Sequence, residues 1–189
     1  MLDQLPQFLI TGVTVGSIYA LVGLGFAIIY NASDVVNFAQ GEFVMIGAMT
    51  AISLLTAGAP FLVALVLAAV ITVAVGMALE KFAVEPARGA SVVTFIIITI
   101  GASILLRGIA LLIWGKNFHA MPHFSGETPL HLGGATLLPQ NLWVMGGTAV
   151  LVLAVRWFFG RTAVGKALLA CSCNPVAAQL MGINVRWML

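Results

Sequence analysis

FVMIGAMTAISLLTAGAPFLVALVLAAVITVAVGMAL, running from Phe43 to Leu79, holds no Asp, Glu, Lys or Arg in thirty-seven positions. The hydrocarbon core of a bilayer takes ~20 apolar residues per helix, so this tract is long enough to cross twice. Thr56-Ala57-Gly58-Ala59-Pro60 lies near its middle, where a reversal must fall. Gly and Pro suit a tight turn at the membrane surface. The tract predicts two lipid-embedded helices.

The remainder of the chain agrees. It is 61% hydrophobic and 7% charged, with a mean hydropathy of +1.12, whereas ordinary soluble domains are roughly 25% charged. A soluble fold needs a polar shell, and fourteen charged residues are too few to provide one for 189. Phe8 to Tyr30 is another uncharged run, of twenty-three residues. Only Asp3 precedes it among charged residues and no small-x-small cleavage site closes it, so it reads as a retained helix rather than a signal peptide. Gly41–Ala57 and Phe61–Leu79 follow, then Gly89–Gly115, apolar apart from Arg107, and Asn141–Phe159. Residues 116–140, with His119, His123, His131, Glu127 and three prolines, read as a loop. The expected fold class is all-α: a polytopic α-helical membrane protein with about five transmembrane helices in one domain over 1–189. A polar segment at 160–187 closes it.

Basic residues orient this array. Lys81 and Arg88 share one loop, and Arg156, Arg161, Lys166 and Arg186 lie in or beside the C-terminal segment. Two spans separate the groups, so both fall on one side, which the positive-inside rule makes cytoplasmic. Three spans before Lys81 then put the N-terminus outside.

Polar residues near the spans are the candidates for function. Asn31 to Glu42 is the densest polar run beside a helix, with Asn37, Gln40 and Glu42 where the first span ends and the second begins. A carboxylate at membrane depth costs about 3 kcal/mol at the centre on insertion scales and faces a cavity or a partner. Glu42 is thus either a pathway or gate position, or a carboxylate just outside the hydrocarbon that caps the second helix. Arg107 sits nearer the outer end of its span, where snorkelling to the interface is the reading preferred to a buried ion pair. Gly12, Gly16 and Ala20 recur at helix-packing spacing in the first span.

Other features argue against alternatives. The three histidines have irregular spacing and no acidic cluster beside them, so no metal site is expected. Cys171 and Cys173 have no metal-ligand set around them and fall on the reducing side. Gly160-Arg161-Thr162-Ala163-Val164-Gly165-Lys166 fits seven places of a phosphate-binding loop, but Ala167 stands where Ser or Thr must ligate magnesium. A membrane helix also precedes it where a strand is required, so this chain is not expected to bind ATP. Residues 165–184 read instead as two short cytoplasmic helices. Asn174 caps the second, Pro175 is its first residue and Gly182 follows its end.

Several blocks together resemble the permeases of branched-chain amino-acid ABC transporters of the high-affinity leucine/isoleucine/valine type. Gly12-Val13-Thr14-Val15-Gly16-Ser17-Ile18-Tyr19-Ala20-Leu21 and Val36-Asn37-Phe38-Ala39-Gln40-Gly41-Glu42, with Met45-Ile46-Gly47-Ala48, are similar to that family's first two spans. Glu80-Lys81-Phe82-Ala83-Val84-Glu85-Pro86-Ala87-Arg88 resembles its cytoplasmic loop, with Lys81 for the usual arginine, and Gly165 to Asn184 resembles its coupling segment. Gln40 stands where the family usually has histidine. The family continues through further spans beyond this segment, so the chain is expected to be the N-terminal portion of the family domain.

The resemblance implies a multi-pass protein of the bacterial inner membrane without catalytic residues or cofactor of its own. Its implied partners are cytoplasmic ABC ATPase subunits, a second permease subunit, a periplasmic substrate-binding protein and the lipid bilayer, with no nucleic acid. Ala170, Asn174, Ala177, Gly182 and Ile183 are the expected ATPase contacts. Urea and short-chain amide permeases are the nearest alternative. A passive channel or scaffold is the alternative of another class, and it gives residues 165–184 no role.

Overall fold

The computed structural model describes residues 5–33, 36–87, 90–117, 119–121, 130–132 and 135–185. Arg88, His123, Glu127 and Arg186 lie outside the described residues. In chain order the elements are α1 (Leu5–Ser33), α2 (Gln40–Thr56), α3 (Phe61–Leu79), α4 (Val92–Trp114), β1 (Leu130–Leu132), β2 (Ala135–Leu137), α5 (Pro139–Arg161), α6 (Ala163–Cys173) and α7 (Pro175–Leu180). Among the described residues four helical stretches are long and apolar enough to cross a bilayer: Leu5–Asn31, Phe61–Ala87, Val92–Trp114 and Pro139–Arg161. The chain is a multi-pass helical membrane protein. Large apolar side chains stay exposed along these helices, Leu112 at 87% and Leu62 at 70%, because their solvent is lipid.

The chain divides into two compact units, Val35–Pro122 and the pair of segments Met1–Asp34 and His123–Leu189. In the Val35–Pro122 unit, α2 and α3 form an antiparallel hairpin reversed at Gly58, whose φ of +88° admits glycine at no steric cost. Glu42, Ile46 and Thr50, each one turn apart on α2, face inward with Ala64 and Ala68 of α3 and Thr99, Ala102 and Ala110 of α4. Small residues let these backbones approach, as expected where dispersion rather than water drives packing. Gly47 belongs to the same seam, since a Cβ there would stand 3.1 Å from Thr72 Oγ1.

Residues 80–87 correct one expectation. They are not a loop: α3 continues through a π-helical turn, Glu80–Val84, and a 3-10 turn, Glu85–Ala87. The Glu85 N–H reaches back five residues to Glu80 O, and Pro86, which has no N–H to donate, follows where the regular ladder must lapse. Ser91 then caps α4 by accepting from the Thr94 N–H.

In the other unit α1 and α5 run in the same direction. The Thr136 N–H donates to Gln7 Oε1 at 2.7 Å near one end, and Thr14 Oγ1 reaches Met145 Sδ at 3.7 Å further along. Ser172 of α6 donates to the carbonyl of Asn31 at the far end of α1. The start of α1 therefore lies at the opposite end of this unit from α6. Residues 116–140 are not all loop, because β1 and β2 pair antiparallel with Leu130 opposite Leu137. Gly12, Gly16 and Ala20 are exposed, and a Cβ at Gly12 or Gly16 would meet nothing within 4 Å, so among the described residues no helix packs on this face.

Candidate functional site

Ser103 is the central residue of the 23-residue α4, with eleven on either side. Its hydroxyl donates to Glu42 Oε1 at 2.8 Å, and Arg107 Nη2, one turn further on the same face, donates to that same oxygen at 2.6 Å. Trp114 Nε1, at the end of α4, donates to Ser53 Oγ on α2 at 2.6 Å. Both pairings advance together, so α2 runs parallel to α4 and its first turn lies level with the middle of α4. Helix α2 is only 17 residues long because it starts at that depth.

This bears on the two Glu42 readings and overturns one expectation. Glu42 lies in the first turn of α2, yet its side chain is 7% exposed and bound to α4, which favours the inward-facing reading. Arg107 does not simply snorkel, because its guanidinium closes an ion pair with Glu42. Buried carboxylates need such donors, and a charge-assisted pair is about twice as strong as a neutral hydrogen bond. Ser103 was not foreseen. Its signal was available as a hydroxyl four residues before the lone arginine of an apolar span.

Asn37 and Gln40 take different positions. Asn37 Oδ1 accepts from the Ala39 N–H at 2.9 Å and its carbonyl accepts from the Gln40 N–H at 3.3 Å. These bonds satisfy amide groups at the head of a helix that begins where water is scarce. Gln40 Oε1 is buried with no hydrogen-bond partner among the described residues. The structure brings Glu42 together with Ser103 and Arg107, and leaves Asn37 bracing the turn before α2.

The second cluster is the α6–α7 segment. The P-loop-like residues form the junction of two helices: Thr162 Oγ1 donates to Phe158 O at 2.7 Å and accepts from the Gly165 N–H at 3.0 Å. A Cβ on Gly165 would lie 2.3 Å from Phe158 O, so only glycine lets α6 seat on the end of α5. Asn174 caps α7 through Oδ1 and the Ala177 N–H at 3.0 Å, with Pro175 in the first turn. The Gly182 and Ile183 N–H groups bond back to Gln179 O and Ala178 O, and Gly182 has φ +82°, which is the Schellman closure.

Ala170, Asn174, Ala177 and Gly182 are exposed, and Ile183 is half-buried. The sequence reading missed their apolar neighbours. Val176, Leu180 and Met181 are 69%, 84% and 82% exposed, and one turn separates Val176 from Leu180. Replacing Asn174 with alanine is expected to cost about 1 kcal/mol of α7 stability. Hydrogen exchange should show it as roughly fivefold faster amide exchange over residues 175–181 and little change in α5.

Three comparisons with known proteins bear on this geometry. The family described as branched-chain amino acid transport system / permease component matches residues 8–189. The high-affinity branched-chain amino acid transport system permease protein BraD of Pseudomonas aeruginosa is 31% identical over 94% of this chain and 62% of its own length. The corresponding permease protein LivH of Escherichia coli (strain K12) is 29% identical with the same two coverages. A probable branched-chain amino acid transport permease protein LivH of Methanocaldococcus jannaschii is 29% identical over 89% of this chain and 55% of its own length. The chain thus spans less than two thirds of the length of these relatives. No solved structure matches it.

Proposed function

The chain belongs to the branched-chain amino acid transport permease family, and on that premise we propose that it is a transmembrane subunit of an ATP-driven importer for branched-chain amino acids in the inner membrane. A second permease subunit completes the pathway, cytoplasmic ATPases drive it and a periplasmic binding protein delivers the substrate. The match over residues 8–189 carries this reading. The names of the relatives favour branched-chain amino acids over urea or short amides.

The α6–α7 segment supports the role of ATPase contact. An engine outside the membrane must push on something stiff, and α6 is stiffly joined to α5 through Gly165 and Thr162. Ala170, Asn174, Ala177, Gly182 and Ile183 are the proposed contacts, joined by Val176, Leu180 and Met181. Residues 128–189 hold Arg156, Arg161, Lys166 and Arg186 and no Asp or Glu, so a complementary partner groove is apolar with an acidic rim. Asn37, Gln40 and Glu42 are proposed to line or brace the pathway.

Crosslinking tests the reading. Ala177→Cys in the complex assembled with its ATPase is expected to give a crosslinked band with a cysteine placed in the ATPase groove. Absence of that band, with Lys166 labelled from the periplasmic face, would refute the importer assignment.

A further inference from the structure

The Glu42–Arg107 pair has more hydrogen-bonding capacity than it uses. Its one bond, from Arg107 Nη2, and that of the Ser103 hydroxyl both converge on Glu42 Oε1. Among the described residues Glu42 Oε2 accepts nothing, and neither Nη1 nor Nε of Arg107 donates. The Arg107 side chain is also 66% exposed at a level near the middle of α4. A guanidinium does not face hydrocarbon at that depth; it faces protein or a water-filled cavity. The face of α4 bearing Ser103 and Arg107 is therefore turned away from lipid.

An apolar cavity bounded by α2, α3 and α4 adjoins the pair, although neither Glu42 nor Arg107 is among its lining residues. It measures about 640 Å³ and its lining includes Ile46, Ala102, Leu106, Ala110 and Phe82. Ile46 is one turn from Glu42 on α2, Leu106 precedes Arg107, and Ala110 lies a turn beyond it. Gln40 Oε1, two residues before Glu42, is a buried acceptor with no partner among the described residues. A carboxylate and a guanidinium whose helical neighbours Ile46, Leu106 and Ala110 line an aliphatic cavity are together the complement of one chemical class.

We propose that Glu42 and Arg107 form a binding site for the zwitterionic main chain of a free aliphatic amino acid inside the membrane. Glu42 accepts the α-ammonium group, the free donors of Arg107 hold the α-carboxylate in fork geometry, and the apolar cavity takes the side chain. Between ligands the two residues neutralise one another. The inference rests on the importer reading and adds a recognition step after delivery by the binding protein.

Ligand-observed saturation-transfer NMR on the complex in nanodiscs, without binding protein, tests it. The probes are leucine, 3-methylbutylamine, which lacks the carboxylate, and 4-methylpentanoate, which lacks the ammonium. Transfer to leucine is expected to exceed transfer to either analogue at least threefold. It should vanish in the Glu42→Gln/Arg107→Gln double variant, which keeps the site electrically neutral and leaves no unpaired charge to unfold it. Arg107→Gln alone should shift the preference toward the amine and Glu42→Gln alone toward the acid, which a merely structural pair does not predict.

Equal transfer to the three probes, no transfer to leucine in the wild type, or transfer undiminished in the double variant overturns the proposal. Uptake of leucine by the same complex with its binding protein separates the two readings. Uptake without these NMR differences removes only the zwitterion site, whereas absence of any uptake removes the importer reading beneath it.

Discussion

Gly165→Ala is expected to be among the most damaging single substitutions in this chain. The added Cβ would stand 2.3 Å from Phe158 O and 2.8 Å from Phe159 Cα. Both are backbone atoms near the end of α5, so no side chain can swing aside. Either α6 tilts away, breaking the Thr162 cap, or the last turn of α5 unwinds. Overpacking costs about 1–3 kcal/mol in cores that can adjust, and a backbone clash belongs at or above the top of that range. Because α6 connects α5 to α7, the functional loss should exceed the loss of stability. The assembled transporter should show at least tenfold lower uptake and weaker co-purification of the ATPase, while the Val35–Pro122 unit keeps its protease resistance. Gly160→Ala, where an added Cβ meets nothing within 4 Å, is the control. Equal effects of the two would show that the α5–α6 junction is not what matters.

Arg107→Ala should be the next most damaging, and it should be worse than Glu42→Gln. The two partners differ in burial: the Glu42 side chain is 7% exposed and that of Arg107 is 66% exposed. Removing Arg107 leaves an ionised carboxylate at mid-depth with the Ser103 hydroxyl as its remaining donor. Stranding a buried charge costs about 3–5 kcal/mol, and the exposure of Arg107 argues for the lower end. Removing the charge of Glu42 leaves an exposed cation that faces protein or water rather than hydrocarbon, together with an amide that Ser103 can still bond. The thermal midpoint of the purified complex should fall by several degrees more for Arg107→Ala than for Glu42→Gln. Arg107→Lys should recover much of the loss. Equal falls for both single variants would mean that the pair is not asymmetrically buried and that α2 does not start at the depth described.

The membrane class and the helix hairpin were legible because they depend on composition and local turn chemistry. An uncharged tract of thirty-seven residues leaves few alternatives, and Gly58 with Pro60 marks its reversal. The caps of α7 were legible for the same reason, since Asn174, Pro175 and Gly182 act on neighbouring backbone groups. The Glu42–Arg107 pair was not. Sixty-five positions separate the two residues, and their meeting depends on the depth at which α2 begins. A charge near the end of an apolar run looks interfacial until the neighbouring helix is in place. The small residues of α1 define a face in the same way, and periodicity does not say what lies opposite it.

The amino-acid order by itself determined that this chain lives in lipid, where its helices lie, how α7 is capped and which family it belongs to. All of these follow from hydropathy, residue-level backbone preference and similarity along the chain. Tertiary structure alone decided that α2 starts level with the middle of α4, that Glu42 is neutralised by Arg107 and Ser103, and that Gly165 must be glycine. Each of those depends on the distance between atoms far apart in sequence or on separate helices. In a medium without water that distance decides whether a charge or a backbone contact is tolerated.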